Sequence, residues 1–181
     1  MGVYNARSGI GGTVTLRNAG DLVVKGITAQ NGTVNLTSNS GSVGQQVVPG
    51  YAIWTRTFNA NAATIIDLSQ YNFVDTLGDL TAAGSIRFNS AGTVMLGGNI
   101  QAGGALAMAV GGYIGQLTGT ITADHLDLTA SGIALMSANN IGSTNASHLI
   151  ASDDITFHSA NAILLGSVST PGLLSLTSDS D

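Results

Sequence analysis

Residues Gly84–Gly104 read GSIRFNSAGTVMLGGNIQAGG, and this stretch contains three short apolar segments separated by turn-forming residues. The segments are Ile86–Phe88, Val94–Leu96 and Asn99–Ala102; apolar and polar residues alternate in the first and third, and the second is apolar throughout. Alternation over a few residues between glycine-rich corners is typical of short β-strands. The stretch therefore predicts one complete coil of a solenoid, with three strands and three corners.

The pattern of the first segment recurs along the chain with a period of about 20 residues, which is in the range of solenoid repeats. One long interruption and one shorter interruption break an otherwise regular spacing. The third segment recurs independently, as in Gly78–Ala82, Gly98–Ala102 and Gly119–Ala123. Two sets of recurrences that agree favour a solenoid more strongly than one. The recurrences of the first segment begin at Val14, Val34, Ile86, Leu106, Leu126, Ile155 and Leu174.

These repeats predict an all-β fold, a parallel β-helix of about six to seven coils in which each coil buries its apolar face against its neighbours. Burying one large aliphatic side chain stabilises a fold by roughly 1.5–3 kcal/mol, so several per coil can offset the cost of ordering it. An antiparallel β-sandwich is the alternative, but it has no reason to keep a fixed period. Strand alternation predicts these inward side chains: Val14, Leu16, Val34, Leu36, Ile86, Phe88, Leu106, Met108, Leu126, Leu128, Ile155, Phe157, Leu174 and Leu176.

The composition limits the possible partners. Charged residues make up 8% of the 181-residue chain, Glu is absent, Lys25 is the only lysine, and the net charge is −5. An ordinary domain contains about 25% charged residues. Without a basic stripe to neutralise phosphates, nucleic acid is not expected as a partner. The chain has no cysteine, so it has no disulfide framework.

The chain is expected to be one β-helix domain, residues 1–181, and a fragment of a longer protein. Met1–Tyr4 lacks the basic and apolar regions of a secretory signal. The segment Phe88–Ala123 is uncharged, but it is rich in glycine, contains Asn99 and Gln101, and keeps the repeat. It therefore does not resemble a spanning helix of about 20 apolar residues, and no membrane span is expected.

Residues 45–76 interrupt the repeat, and we expect them to form an extra-helical hairpin that lies on the solenoid. The interruption contains five of the nine aromatic residues, and the segment Tyr51–Phe58 alternates with period two. Two interpretations remain open: the aromatic side chains attach the hairpin to the outer wall, or they bind a ligand. We also expect removal of this segment to leave the rod folded. The candidate ligand-binding residues are Tyr51, Trp54, Phe58, Tyr71 and Phe73.

Several phrases resemble the filamentous haemagglutinin-like adhesins, which are large bacterial exoproteins secreted by the two-partner route. Gly41–Gly44, Tyr113–Gln116 and Asn140–Ser143 share an apolar-Gly-polar element, which occurs beside Gly-Asp/Asn-Leu/Ile and Leu-Thr-Ala-Ser-Gly phrases. The resemblance covers most of the chain except residues 45–76. It implies a right-handed parallel β-helix, a dedicated outer-membrane secretion partner, and a role in attachment, aggregation or display of a toxin tip.

The outer face offers little for catalysis. The shared register predicts one outward row that contains Arg87, Ala107, Asp127 and Thr156. His125, Asp127, Asp153 and Asp154 resemble the calcium and proton-abstraction groups of β-helix polysaccharide lyases, but calcium takes six to eight oxygen ligands and this cluster is sparse. No catalytic residue, metal site or cofactor is predicted.

The sequence therefore favours a non-enzymatic, structural and adhesive segment of a secreted or surface-located bacterial protein. Its expected partner is a host-cell receptor or glycan. The alternative is a protein that binds or degrades polysaccharide.

Overall fold

A computed structural model describes residues 2–47 and 52–180, which form nineteen β-strands joined by tight corners. This part of the chain offers no apolar helix of membrane-spanning length. The strands, numbered in chain order, are β1 (Gly2–Arg7), β2 (Thr13–Asn18), β3 (Leu22–Ser38), β4 (Val43–Gln45), β5 (Ile53–Ala62), β6 (Ile66–Leu68), β7 (Asn72–Ala82), β8 (Ile86–Ser90), β9 (Val94–Leu96), β10 (Ile100–Ala102), β11 (Leu106–Val110), β12 (Ile114–Gln116), β13 (Ile121–Ala123), β14 (Leu126–Ala130), β15 (Ile133–Ile141), β16 (Ser147–Ala151), β17 (Ile155–Ser159), β18 (Leu165–Ser169) and β19 (Leu174–Ser178).

The strands stack in parallel, each on its counterpart in the previous turn. Two series can be followed through the stack, and we call them the first and second walls. The first wall is β1-β3-β4-β6-β8-β11-β14-β16-β18, and the second is β2-β3-β5-β7-β9-β12-β15-β17-β19. Each wall contains one strand or part of a strand from every turn, which gives about nine turns. The predicted parallel β-solenoid is confirmed, and the predicted coil number is slightly too low.

The core is a continuous apolar column, because alternate side chains of each strand point into the stack. Phe58 and Phe88 are fully buried, with ring centroids 6.3 Å apart and planes inclined by 30°. Most of the predicted inward side chains are buried, and Leu16 is partly buried against the core. Leu174 and Leu176 are the exceptions, with 47% and 39% of their surfaces exposed, because among the described turns only the one below covers them.

The predicted extra-helical hairpin is wrong, because the described residues between 45 and 76 form regular turns of the stack. In the second wall, Phe58 lies between Val34 below and Leu77 above. In the first wall, Ile66 lies between Val43 and Ile86. The period-two alternation that suggested a hairpin is that of an ordinary stacked strand. The turns to which β5, β6 and β7 belong were not counted in the prediction, which accounts for the difference between the predicted and observed numbers of coils.

The predicted outward row is correct for three members and wrong for the fourth. Arg87, Ala107 and Asp127 follow one another in the first wall, but the next residue is His148. Thr156 lies in the second wall, above Ala134. The apolar-polar-apolar pattern occurs in both walls, and the longer step from Leu126 to Ile155 passes from one wall to the other.

Polar side chains at one corner form a ladder along the stack. Asn59 Nδ2 donates to Asn35 Oδ1 at 2.9 Å, and the Asn59 Oδ1 accepts from the Asp79 amide at 3.0 Å. The carboxylate of Asp79 accepts from the Asn99 amide at 2.9 Å, and the side chain of Asn99 accepts from the Thr120 amide at 3.1 Å. Each link joins equivalent positions of adjacent turns. The abundant Asn, Asp and Thr residues therefore satisfy corner amides that the strand ladder leaves unpaired.

Corner packing also requires small residues where turns meet. A Cβ added to the buried Gly32 would overlap the carbonyl oxygen of Gly12 in the turn below. This position can therefore hold only glycine unless the backbone moves.

Candidate functional site

The structure separates the five predicted ligand-binding residues. Tyr51 lies outside the described residues. Phe58 is completely buried in the core, so the prediction that it binds a ligand is wrong. Trp54 and Tyr71 expose 40% and 71% of their surfaces, and Phe73 is half-buried. Three of the predicted residues are therefore accessible on the outside of the stack.

Trp54 and Phe73 form an aromatic pair on the outer surface of adjacent strands. They occupy the same register position of β5 and β7, and Thr28 lies below them in β3. Their ring centroids are 6.2 Å apart with the planes inclined by 71°, an edge-to-face arrangement. Such a pair stabilises a fold by about 0.5–1.5 kcal/mol beyond the area it buries. The pair therefore supports the stack and also presents aromatic surface to a partner.

The Phe73 ring borders a shallow depression of about 220 Å³, which is lined by Phe73, Val74, Asp75, Gly92 and Thr93. Gly92 lies beside this ring, since a Cβ added there would be 3.5 Å from the Phe73 ring. The aromatic surface is therefore bordered by one carboxylate and one hydroxyl, which are groups able to accept hydrogen bonds from a bound molecule.

Tyr71 is presented by a bend that a buried asparagine holds in place. Asn72 is fully buried, and its Nδ2 donates to the backbone carbonyls of Leu68 at 3.0 Å, Gln70 at 2.9 Å and Asn89 at 2.9 Å. Its Oδ1 accepts from Gln45 Nε2 at 2.6 Å. The contact with Asn89 ties this bend to the turn above. Asn72 is thus a positioning residue for the exposed tyrosine.

A second copy of this network lies higher in the stack, centred on the fully buried Asn139. Its Oδ1 accepts from Gln116 Nε2 at 2.9 Å, and its Nδ2 donates to the backbone carbonyls of Ser137 at 2.8 Å and His158 at 3.1 Å. The glutamine side chain accepts from the Ser137 amide at 3.1 Å, as Gln45 accepts from the Gln70 amide at 3.1 Å. The two networks therefore have the same design.

Sequence reasoning missed both networks. The available signal was the apolar-Gly-Gln element, which occurs as Val43–Gln45 and as Ile114–Gln116. Each element places its glutamine beside a buried asparagine that follows 27 or 23 residues later. Since the asparagines occupy inward positions normally filled by apolar residues, they could have been recognised only once the register of each turn was known.

The predicted histidine–aspartate cluster is partly assembled. His125 lies 3.3 Å from Asp124 and 3.8 Å from Asp127, and His148 is the register neighbour of Asp127. The Nδ1 of His148 accepts from the Ser167 amide at 2.9 Å, which fixes the ring. Asp153 and Asp154 are not in this group, because they follow β16 at the next corner, where Asp154 accepts from the Leu173 amide.

This histidine–aspartate cluster lies on the open surface of the first wall. Over residues 2–47 and 52–180, no group of three His, Cys, Asp or Glu residues has the geometry of a metal site.

The last described strand is attached by an ion pair that should respond to pH. His158 Nε2 donates to Asp179 Oδ1 at 2.8 Å, and its Nδ1 lies 3.3 Å from the carbonyl oxygen of Met136. The hydrogen bond to Asp179 raises the pKa of His158 above its ordinary value near 6.5, and the Met136 carbonyl adds to this. Because the folded pKa is raised, this contribution to stability is fully present below about pH 6.5 and is lost as pH rises through the folded value.

We expect hydrogen-exchange protection of the β19 amides to decrease between pH 6 and pH 8, relative to the amides of β11. The substitution Asp179→Asn removes the acceptor charge and should abolish this difference. Protection of β19 that does not change with pH in the unmodified chain would contradict the assignment.

Comparison with known proteins places the chain among repeat proteins. Residues 11–76 match a family model described as repeats of unknown function (DUF5649). The matched range includes the whole segment 45–76, in agreement with the place of its described residues in regular turns of the stack. No curated protein and no solved structure shows a significant match. The chain is therefore a repeat protein that folds as a parallel β-solenoid.

Proposed function

We propose that this chain is a structural and adhesive segment of a large secreted bacterial surface protein. About nine turns of the described residues form a stack roughly 40 Å long at the usual strand spacing of about 4.8 Å. Stacked repeats of this kind form extended rods that expose long surfaces for binding. The resemblance to filamentous haemagglutinin-like adhesins supports export by the two-partner route, through an outer-membrane partner, to the outside of the cell.

The observation that carries the adhesive role is the Trp54–Phe73 pair on the outer wall. Trp54 keeps 40% of its surface exposed although the inward positions of the same strand are fully buried. Exposed aromatic side chains are enriched at binding surfaces because they bury a large area at a low entropic cost. A host-cell glycan or receptor is the partner that we propose for this surface.

The proposed attachment can be measured with the purified, fluorescently labelled chain on cultured epithelial cells by flow cytometry. The double variant Trp54→Thr, Phe73→Thr continues the threonine already present at Thr28 in the same column, so it should keep the strand register. We expect it to reduce binding about tenfold or more, as truncation of an aromatic contact at the centre of an interface does.

The matched control is Leu117→Thr, which removes another exposed apolar side chain, 61% exposed, outside the pair. This control should bind like the unmodified chain. The proposal is wrong if the unmodified chain does not bind cells, and the assignment of the surface is wrong if the control and the double variant bind equally.

A further inference from the structure

A groove runs along one corner of the stack directly above Tyr71. It has a volume of about 420 Å³ and is lined by Tyr71, Asn89, Ser90, Ala91, Ala109, Val110, Gly111 and Thr129. One side is a column of outward residues, Asn89, Ala109 and Thr129, which pair in three successive turns. This column rises about 10 Å at the usual strand spacing. The groove therefore runs parallel to the stack axis.

The floor of the groove is formed by small residues and backbone. A Cβ added to Gly111 would overlap the carbonyl oxygen of Ala91, so no larger side chain can cover the floor at this point. Asn89 Nδ2 donates to the Ser69 carbonyl at 2.7 Å, which holds the amide in place at the groove wall. Thr129 is exposed at the upper end. The groove thus combines an aromatic ring at one end with an amide and a hydroxyl along its side.

The fold does not require a tyrosine at position 71. In the second asparagine network, Ser137, Ala138 and Asn139 correspond to Gln70, Tyr71 and Asn72, since the same hydrogen bonds connect both sets. The equivalent of Tyr71 is therefore an exposed alanine. A ring that is 71% exposed, and that the twin bend does without, contributes little to folding.

We infer that this groove binds an extended, uncharged glycan chain laid along the stack axis, with one sugar stacked on the Tyr71 ring. The electron-rich face of an aromatic ring attracts the polarised C–H groups of a sugar, and the Asn89 amide and Thr129 hydroxyl can bond to its hydroxyl groups. None of the eight lining residues is charged, so nothing in the groove would compensate a sulfate or carboxylate. The volume lies within the range of about 300–1,000 Å³ typical of ligand sites.

This inference rests on the proposed function, because it adds the groove to the Trp54–Phe73 pair as a second surface of the attachment segment and names the ligand class that the groove takes. The test is isothermal titration of the full chain with neutral tetrasaccharides of glucose, mannose, galactose and N-acetylglucosamine. At least one should bind the unmodified chain, and Tyr71→Ala should weaken that binding about tenfold while Tyr71→Phe should weaken it less. Ala109→Glu, which places a long charged side chain over the groove, should also weaken binding.

Thermal melting checks that these variants fold, and Tyr71→Ala should melt like the unmodified chain. Equal tetrasaccharide affinity in Tyr71→Ala and the unmodified chain would overturn the groove assignment. Attachment to cells without binding of any neutral tetrasaccharide would overturn the ligand class and leave the proposed function standing. Failure to attach to cells would overturn the proposed function itself.

Discussion

Deletion of residues 45–77 is expected to abolish cooperative unfolding, whereas deletion of residues 86–105 should leave a shorter folded stack. The first deletion joins Gly44 of the first wall to Gly78, which follows Leu77 of the second wall. Ile53 and Asn72 stack in one column above Ile27, and the newly formed turn has no residue for this column. That turn is too short to enclose the core. The turns below and above it therefore no longer have a complete turn between them to pair with.

The second deletion removes one complete turn in register. It joins Ser85 to Leu106, and Leu106 stacks directly on Ile86. After the deletion, Leu106 can take the place of Ile86 above Ile66. Stability in a solenoid is approximately the sum of repeat and interface contributions, so we expect a lower melting temperature with the cooperative transition retained.

Circular dichroism melting compares the two deletions directly, because both remove β-strands and only one breaks the register. A cooperative transition in the chain without residues 45–77 would mean that this segment is not part of the stack. Loss of the transition in the chain without residues 86–105 would mean that the turns are not interchangeable.

The sequence predicted the fold where each turn has the same length. Ile86, Leu106 and Leu126 follow one another at equal steps, and the predicted register agrees with the observed pairs. The prediction failed where a turn is longer, because the step from Val34 to its partner Phe58 exceeds the step from Val14 to Val34. A fixed period cannot find such a turn, because the stack constrains the stacked positions and leaves corner lengths free.

The candidate site was predicted only in part, because the sequence alone does not give the register between turns. Alternation identifies which side chains share a face of one strand. Once the register between strands is known, Trp54 lies in one outward column with Thr28 and Phe73. Alternation does not say which face points inward in an isolated segment, so Phe58 was assigned to the ligand surface although it lies in the core. Asn72 and Asn139 were missed because a polar residue at an inward position is understood only through its partners in other turns.

Replacement of Asn139 by alanine is expected to destabilise the fold by about 3 kcal/mol or more, because each buried polar group left unpaired costs about 1–3 kcal/mol. The side chain accepts from the Ile121 amide at 2.9 Å and donates to two backbone carbonyls, and all three groups lose this partner. Gln116 also loses one of its two acceptors, since its Nε2 donates to Asn139 Oδ1 at 2.9 Å and to the Gly119 carbonyl at 3.1 Å.

Urea denaturation measures the loss, and the melting temperature should fall by roughly 6–12 °C for a chain of this size. The control is Asn140→Ala, which changes the same residue type at the adjacent exposed position, removes only the exposed hydrogen bond from the Asn161 side chain, and should cost about 1 kcal/mol or less. Gln116→Leu combined with Asn139→Leu should cost less than the sum of the two single changes, because the double change leaves neither side chain unpaired. A cost for Asn139→Ala as small as that for Asn140→Ala would show that this network does not hold the turns together. In that case the equivalent role of Asn72 beneath Tyr71 would also be wrong, since both asparagines bond to a glutamine, to the carbonyl two residues earlier and to a carbonyl of the turn above.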